Sequence, residues 1–119
     1  MYYKMSVVTQ KYWALHRQPS DINEHLPVLS SLAAHCSSVF ETGVRGVVSS
    51  YAFAHGLSNS GYDEKVLFMN DIDQCPVQNI LNDAKAAGID ASFTAKNNLE
   101  LEFTRNYDMT FIDTWHVYA

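Results

Sequence analysis

The stretch Ser38-Val39-Phe40-Glu41-Thr42-Gly43-Val44-Arg45-Gly46-Val47-Val48-Ser49-Ser50 decides the fold. Residues 38–42 form a short apolar strand that runs straight into a glycine-punctuated turn. Behind the turn, Val47 to Leu57 are apolar and small, and Gly56, Asn59 and Gly61 close them off as a helix. Downstream the alternation repeats. Val66-Leu67-Phe68-Met69 is a continuous apolar run, the pattern of a strand buried on both faces, and Asp71-Ile72-Asp73 ends it. Val77, Ile80, Leu81 and Ala84 follow helical steps, with Pro76 near the start and Gly88 past the end, the expected asymmetry of a helix. Ile89 to Thr94 predicts a third strand, residues 97–106 a polar loop, and Met109-Thr110-Phe111-Ile112 a fourth strand running into Asp113.

Upstream, Leu26, Leu29, Leu32, Ala33 and Cys36 recur at three- and four-residue steps, one face of a helix. Asp21 and Glu24 have the form of a capping box before it, and Pro27 suits its first turn, where a missing N–H costs nothing. Residues 1–18 are polar and aromatic without clear period and read as a lead-in. The division is therefore a lead-in over 1–19 and one domain over 20–119. Strands alternating with helices imply parallel pairing and right-handed crossovers. The expected class is α/β: a three-layer, Rossmann-like parallel sheet with about four strands.

The totals narrow the function. A chain of 119 residues has room for one core. An apolar fraction of 47% with 18% charge is ordinary globular composition. The net charge of −5 argues against a phosphate-backbone binder, so no nucleic-acid partner is expected. Cys36 and Cys75 lack metal spacing and read as reduced thiols. No apolar run approaches the roughly 20 residues that span a bilayer, and the start lacks a secretory signal. A cytoplasmic protein without a membrane partner is the expectation.

In an open parallel sheet, ligands bind beyond the carboxyl ends of the strands, where strand order reverses. Here those ends carry Glu41-x-Gly43-x-x-Gly46, Asp71-x-Asp73 and Asp113-x-x-His116. Acidic acceptors there suit a ligand rich in hydroxyl and amino groups. Glycine lets backbone approach a ligand, and the helix start behind it offers unpaired N–H groups. A dinucleotide fingerprint would need Gly-x-Gly-x-x-Gly, and the spacing Gly43-x-x-Gly46 departs from it. The plain alternative is an ordinary strand-to-helix turn. His116 is either a base near neutral pH or a surface histidine. His16, His25, His35 and His55 show no ligand spacing, and Tyr51 and Phe53 read as core.

Phe40-Glu41-Thr42-Gly43 through Ser49 resembles the first motif of class I S-adenosylmethionine-dependent methyltransferases, in the loosened variant Glu-x-Gly-x-x-x-x-x-Ser. Residues 107–118, Tyr107-Asp108 through Tyr118, are similar to the fourth-strand motif Tyr-Asp-hydrophobic-hydrophobic-Phe-Ile-Asp-Gly-Asp-His-Ser-Tyr. That motif belongs to the small-molecule branch that includes cephalosporin-hydroxylase-like proteins. Asp113, His116 and Tyr118 match it in register.

The resemblance implies a methyltransferase acting on a small-molecule oxygen or nitrogen nucleophile, with S-adenosylmethionine as cofactor. Glu41 would receive the methionine amino group and Asp71, with Asp73 a near alternative, the ribose hydroxyls. Gly43 would permit close approach, and Ser49 completes the motif. Asn97 falls where the family places a contact to the adenine amine. Asp113 and His116 would face the transferred methyl as the catalytic pair. Asp113 is also open to a metal role, since the metal-dependent O-methyltransferases bind Mg²⁺ at this strand end, and to a structural one. Arg45 and Val47 stand where the commoner motif has glycines, so the loop is expected to hold the cofactor differently, with Arg45 pairing the methionine carboxylate. Thr114 and Trp115 replace Gly and Asp.

A full domain of that family has further strands, so the chain reads as its front part. The fourth strand is expected to be covered by a missing segment or by a second chain. The competing reading is a non-catalytic nucleotide-binding or interaction module that keeps the sheet and has lost the chemistry. A nicotinamide-dependent oxidoreductase is a third, set back by the glycine spacing.

Overall fold

The architecture follows from four short strands: Ser38–Thr42 (β1), Val66–Asp71 (β2), Asp90–Ala95 (β3) and Met109–Ile112 (β4). The computed structural model describes residues 6–20, 22–103 and 105–113. All strand pairings are parallel, and the order is β3-β2-β1-β4. The chain moves outward from β1 to β3 and then crosses back to the far side of β1, so order reverses between β1 and β4. Right-handed crossovers place connections that travel in opposite directions on opposite faces. The helices Ser49–Ser58 (α3) and Gln78–Ala86 (α4) therefore share one face, and the β3–β4 connection covers the other.

Two upstream helices, Val7–Arg17 (α1) and Leu26–Ala33 (α2), thicken the helical layer. Its core joins Val39, Leu67 and Met69 of the sheet to Phe53, Leu57 and Ile80 of the helices, all fully buried. Burying each such larger side chain contributes about 1.5–3 kcal/mol. The α2–α3 approach is so close that a Cβ at Gly56 would lie 2.2 Å from the Ser30 carbonyl oxygen and 2.7 Å from Ala33 Cβ. The third layer is thin: a single 3-10 turn, Asn98–Glu100, with the rings of Phe103 and Tyr107 laid over Phe40. The α/β, three-layer, Rossmann-like arrangement expected from the sequence is thus present.

Strands β1 and β4 begin and end where the apolar pattern places them. Helix α3 starts at Ser49 instead of Val47, because Val47 takes a left-handed φ of 65° that no right-handed helix contains. Pro27 does sit in the first turn of α2, and Gly88, at φ 81°, ends the α4 segment. Asp21, half of the expected capping box, lies outside the described residues.

The lead-in packs against the helical layer. Residues 7–17 are helical, with Ser6 accepting the Thr9 N–H at the N-cap. Val8, Tyr12 and Leu15 turn inward at helical spacing, the first two buried. Lys11 Nζ donates to Asp83 Oδ2 at 2.6 Å and to the Tyr51 hydroxyl at 3.1 Å, and Tyr51 donates to the same carboxylate at 2.7 Å. One cation thus joins α1, α3 and α4. Cys36 and Cys75 are both free thiols, and no helix among the described residues is long and apolar enough to cross a membrane.

Candidate functional site

Because a strand alternates its side chains, neighbouring residues at one strand end serve different faces. Glu41 pairs in register with Met69 and Phe111 and points into the helical layer, while Thr42 pairs with Asn70 and Ile112 on the other face. Above these ends a cleft of about 830 Å³ opens, walled by the β1–α3 turn, the β2–α4 turn and the β3–β4 connection. It brings together five residues singled out from the sequence: Gly43, Arg45, Asp71, Asp73 and Asn97. Lys96, Ile72 and Leu99 join them.

The turn is held in a glycine-like backbone. Gly43 has φ 91°, but Arg45 at 47° and Val47 at 65° also occupy the left-handed region. An L side chain there costs about 1–2 kcal/mol. Conformations that usually call for glycine are therefore held here by residues that carry side chains. Asp71 anchors the strained segment, its Oδ2 accepting the Arg45 N–H at 3.0 Å and its Oδ1 the Asp73 N–H at 3.2 Å. Burial opposes its charge, yet these backbone donors outweigh burial and hold the carboxyl below the usual carboxylate range.

Glu41 differs from its expected role. It is fully buried beneath the turn, and its two carboxyl oxygens accept from the hydroxyls of Ser49 and Ser50. Burial pushes its pKa up to about 7, against the two serine hydrogen bonds, with the charges of Asp113 and Asp71 adding to the rise. The strand-end carboxylates do converge, but Glu41 lies under the cleft floor and not on its surface. Ser49, expected at a ligand, is committed to Glu41. Asp113 continues β4 alongside β1, its N–H donating to the Thr42 carbonyl at 3.0 Å. Among the described residues no group of three or more His, Cys, Asp or Glu side chains could hold a metal ion. His116 lies outside the described residues.

One residue of this region, Asn70, escaped the sequence reading. Asn70, fully buried at the end of β2, donates to the Lys96 carbonyl at 2.9 Å and to Asn98 Oδ1 at 3.1 Å. Its own oxygen accepts from Thr94 at 2.7 Å and from the Lys96 N–H at 3.2 Å. Thr42 donates to Asn98 Oδ1 at 2.7 Å. Asn70 and Asn98 thereby pin the β3–β4 connection across the strand ends, while Asn97 spends its side-chain oxygen on the Leu99 N–H at 3.0 Å. The signal available in the sequence was a lone Asn70 ending an apolar strand, a position that demands hydrogen-bond partners.

The cleft thus combines polar acceptors at the end of β2, backbone brought close at the β1–α3 turn and exposed apolar side chains on its walls. Compared with known proteins, the chain finds no counterpart: no family model, no curated protein and no solved structure matches it.

Proposed function

We propose that the chain binds S-adenosylmethionine in the strand-end cleft, in support of methyl transfer to a small-molecule oxygen or nitrogen nucleophile. The observation that carries this reading is the lining of the cleft. Asp71 ends β2 beside a turn in glycine-like conformation, and two apolar side chains, Ile72 at 67% and Leu99 at 94% exposure, stand uncovered on its walls. Exposed apolar groups rimming a polar cleft suit a flat heterocycle, and a carboxylate on the lining is the acceptor type that vicinal hydroxyls need.

When bound, the cofactor supplies a methyl group activated by a sulfonium. The chain supplies position. Asp71 and its backbone donors fix the turn, Lys96 and Arg45 bring positive charge to an otherwise acidic rim, and Asp113 stands at the strand end nearest Glu41. Holding two reactants in line is a large part of such catalysis.

A second reading, a nucleotide-binding module without chemistry, is favoured by one specific observation. Glu41 is capped by two serine hydroxyls under the floor, where it meets no ligand amino group. Calorimetry of the full chain with S-adenosylmethionine, S-adenosylhomocysteine, adenosine and NAD separates the readings. Binding of the first two, tighter than adenosine, is the expected result. Adenosine binding equally well supports the module, NAD alone supports an oxidoreductase, and no binding of any of them overturns the cofactor reading.

A further inference from the structure

We propose that the sheet face opposite the helices carries an acceptor subsite, a second cleft that takes a hydroxylated aromatic acid. Its role as acceptor, and with it the hydroxyl, rests on the methyl-transfer reading, whereas the aromatic acid stands on the cleft alone. The second cleft measures about 630 Å³, within the usual range for small-molecule sites. Thr42 and Asn98 line both clefts, so the two share a wall at the end of β1.

The lining sets the chemistry of the occupant. Phe40 meets Phe103 edge-on at 5.0 Å between ring centroids and lies tilted against Tyr107 at 5.9 Å. Phe103 is 53% and Ile112 66% exposed, leaving aromatic and aliphatic surface uncovered beside rings already packed edge to face. A planar ring extends that packing with the same geometry. Among the described residues Arg105 is the one charged side chain on the lining, its guanidinium 5.5 Å from the Tyr107 ring centroid. It also donates to Glu64 at 3.0 Å, but the Glu64 side chain is 67% exposed. A surface pair of that kind is weak and yields to a ligand carboxylate held in the cleft. The occupant is thus flat, apolar through its body and anionic at the Arg105 end. Its hydroxyl is the group directed toward Thr42 and the adjoining cleft.

Calorimetry of the full chain with para-hydroxybenzoate tests this. Saturable binding is expected, weakened about tenfold by Phe103→Ala and by Arg105→Gln, with far-ultraviolet circular dichroism unchanged. Equal binding of cyclohexanecarboxylate removes the aromatic requirement, equal binding of phenol removes the acidic one, and either result overturns the ligand class. Absence of para-hydroxybenzoate binding, or binding indifferent to both substitutions, overturns the subsite. S-adenosylhomocysteine is titrated in parallel. A chain that binds the aromatic acid alone keeps the cleft and loses the methyl-transfer reading, and the converse loses only the cleft.

Discussion

On the helical side of the sheet, Val39, Leu67 and Met69 are sealed in one cluster with Phe53, Leu57 and Ile80. On the other side, among the described residues, Phe40 and Asn70 are covered by the β3–β4 connection, through a few rings and one web of side-chain amides. The same strands supply both faces, and the difference lies in what travels over them. Two crossovers on one side are helices with apolar stripes, and the single crossover on the other is largely irregular and holds by hydrogen bonds and a few rings. A closed face can bury a carboxyl and perturb it. An open face keeps grooves that reach solvent. Binding surface is therefore to be sought where the packing is thinnest.

Substitutions on the two faces should differ in kind as well as size. The largest effect is expected from Gly56→Ala, deep on the helical side. Its new methyl meets the Ser30 carbonyl at 2.2 Å, backbone that cannot step aside without moving α2. A loss of roughly 3 kcal/mol or more in urea denaturation is expected. A loss below about half a kcal/mol would show that the helical layer gives way as readily as the other side.

Next in size is Glu41→Gln, which tests the closed face through pH. The Glu41 carboxyl titrates near 7 in the fold against an ordinary 4.5, so the folded chain holds the proton more tightly. Its contribution is fully present below about 4.5, falls as pH rises through about 7, and is absent above. Glutamine carries no charge to desolvate, and the serine hydroxyls can rotate to meet its amide. The variant is expected to be more stable than its parent by on the order of 2–3 kcal/mol at about pH 8, the gain vanishing near about pH 4. A constant difference across that range would mean that the Glu41 carboxyl titrates in the fold as it does in the unfolded chain. His55 runs the opposite way. Burial against Thr9 and Tyr12 holds its imidazole below the usual 6.5, so protonation in acid disfavours the fold. Subtracting the two profiles isolates Glu41, because His55 is common to both chains.

The smallest effect is expected on the open face. Asn70→Ala removes the centre of the amide web and should lower stability by about 1–2 kcal/mol. Limited proteolysis should cut within residues 96–107 faster, while circular dichroism of the helices holds. Global unfolding instead would show that the connection is as integral as α3.

Much of the fold could be read directly because parallel strands buried on both faces leave unbroken apolar runs, as at Val66 to Met69. The helix at Val7–Arg17 was obscured by its neighbours. Val8, Tyr12 and Leu15 do keep a helical interval, but Trp13, beside Tyr12 and exposed, puts a large aromatic residue off that stripe and blurs the period. The site was legible in part. Asp71, Asp73, Gly43 and Arg45 meet because they sit at adjacent strand ends, which the order of elements already implies. The capping of Glu41 by Ser49 and Ser50 depends on where α3 begins, and that depends on the left-handed Val47. The partnership of Asn70 with Asn98 depends on how a loop folds back, which no local pattern encodes.

The left-handed backbone at Arg45 and Val47 has a genetic corollary. Every arginine codon and every valine codon lies one nucleotide change from a glycine codon. Relief of the turn is thus one point mutation away at either position. The two routes are unequal, since Val47 is buried in the core cluster and Arg45 stands exposed at the mouth of the cleft. Glycine at the first position would leave a void, and at the second it would release backbone tension while removing a positive charge from the rim.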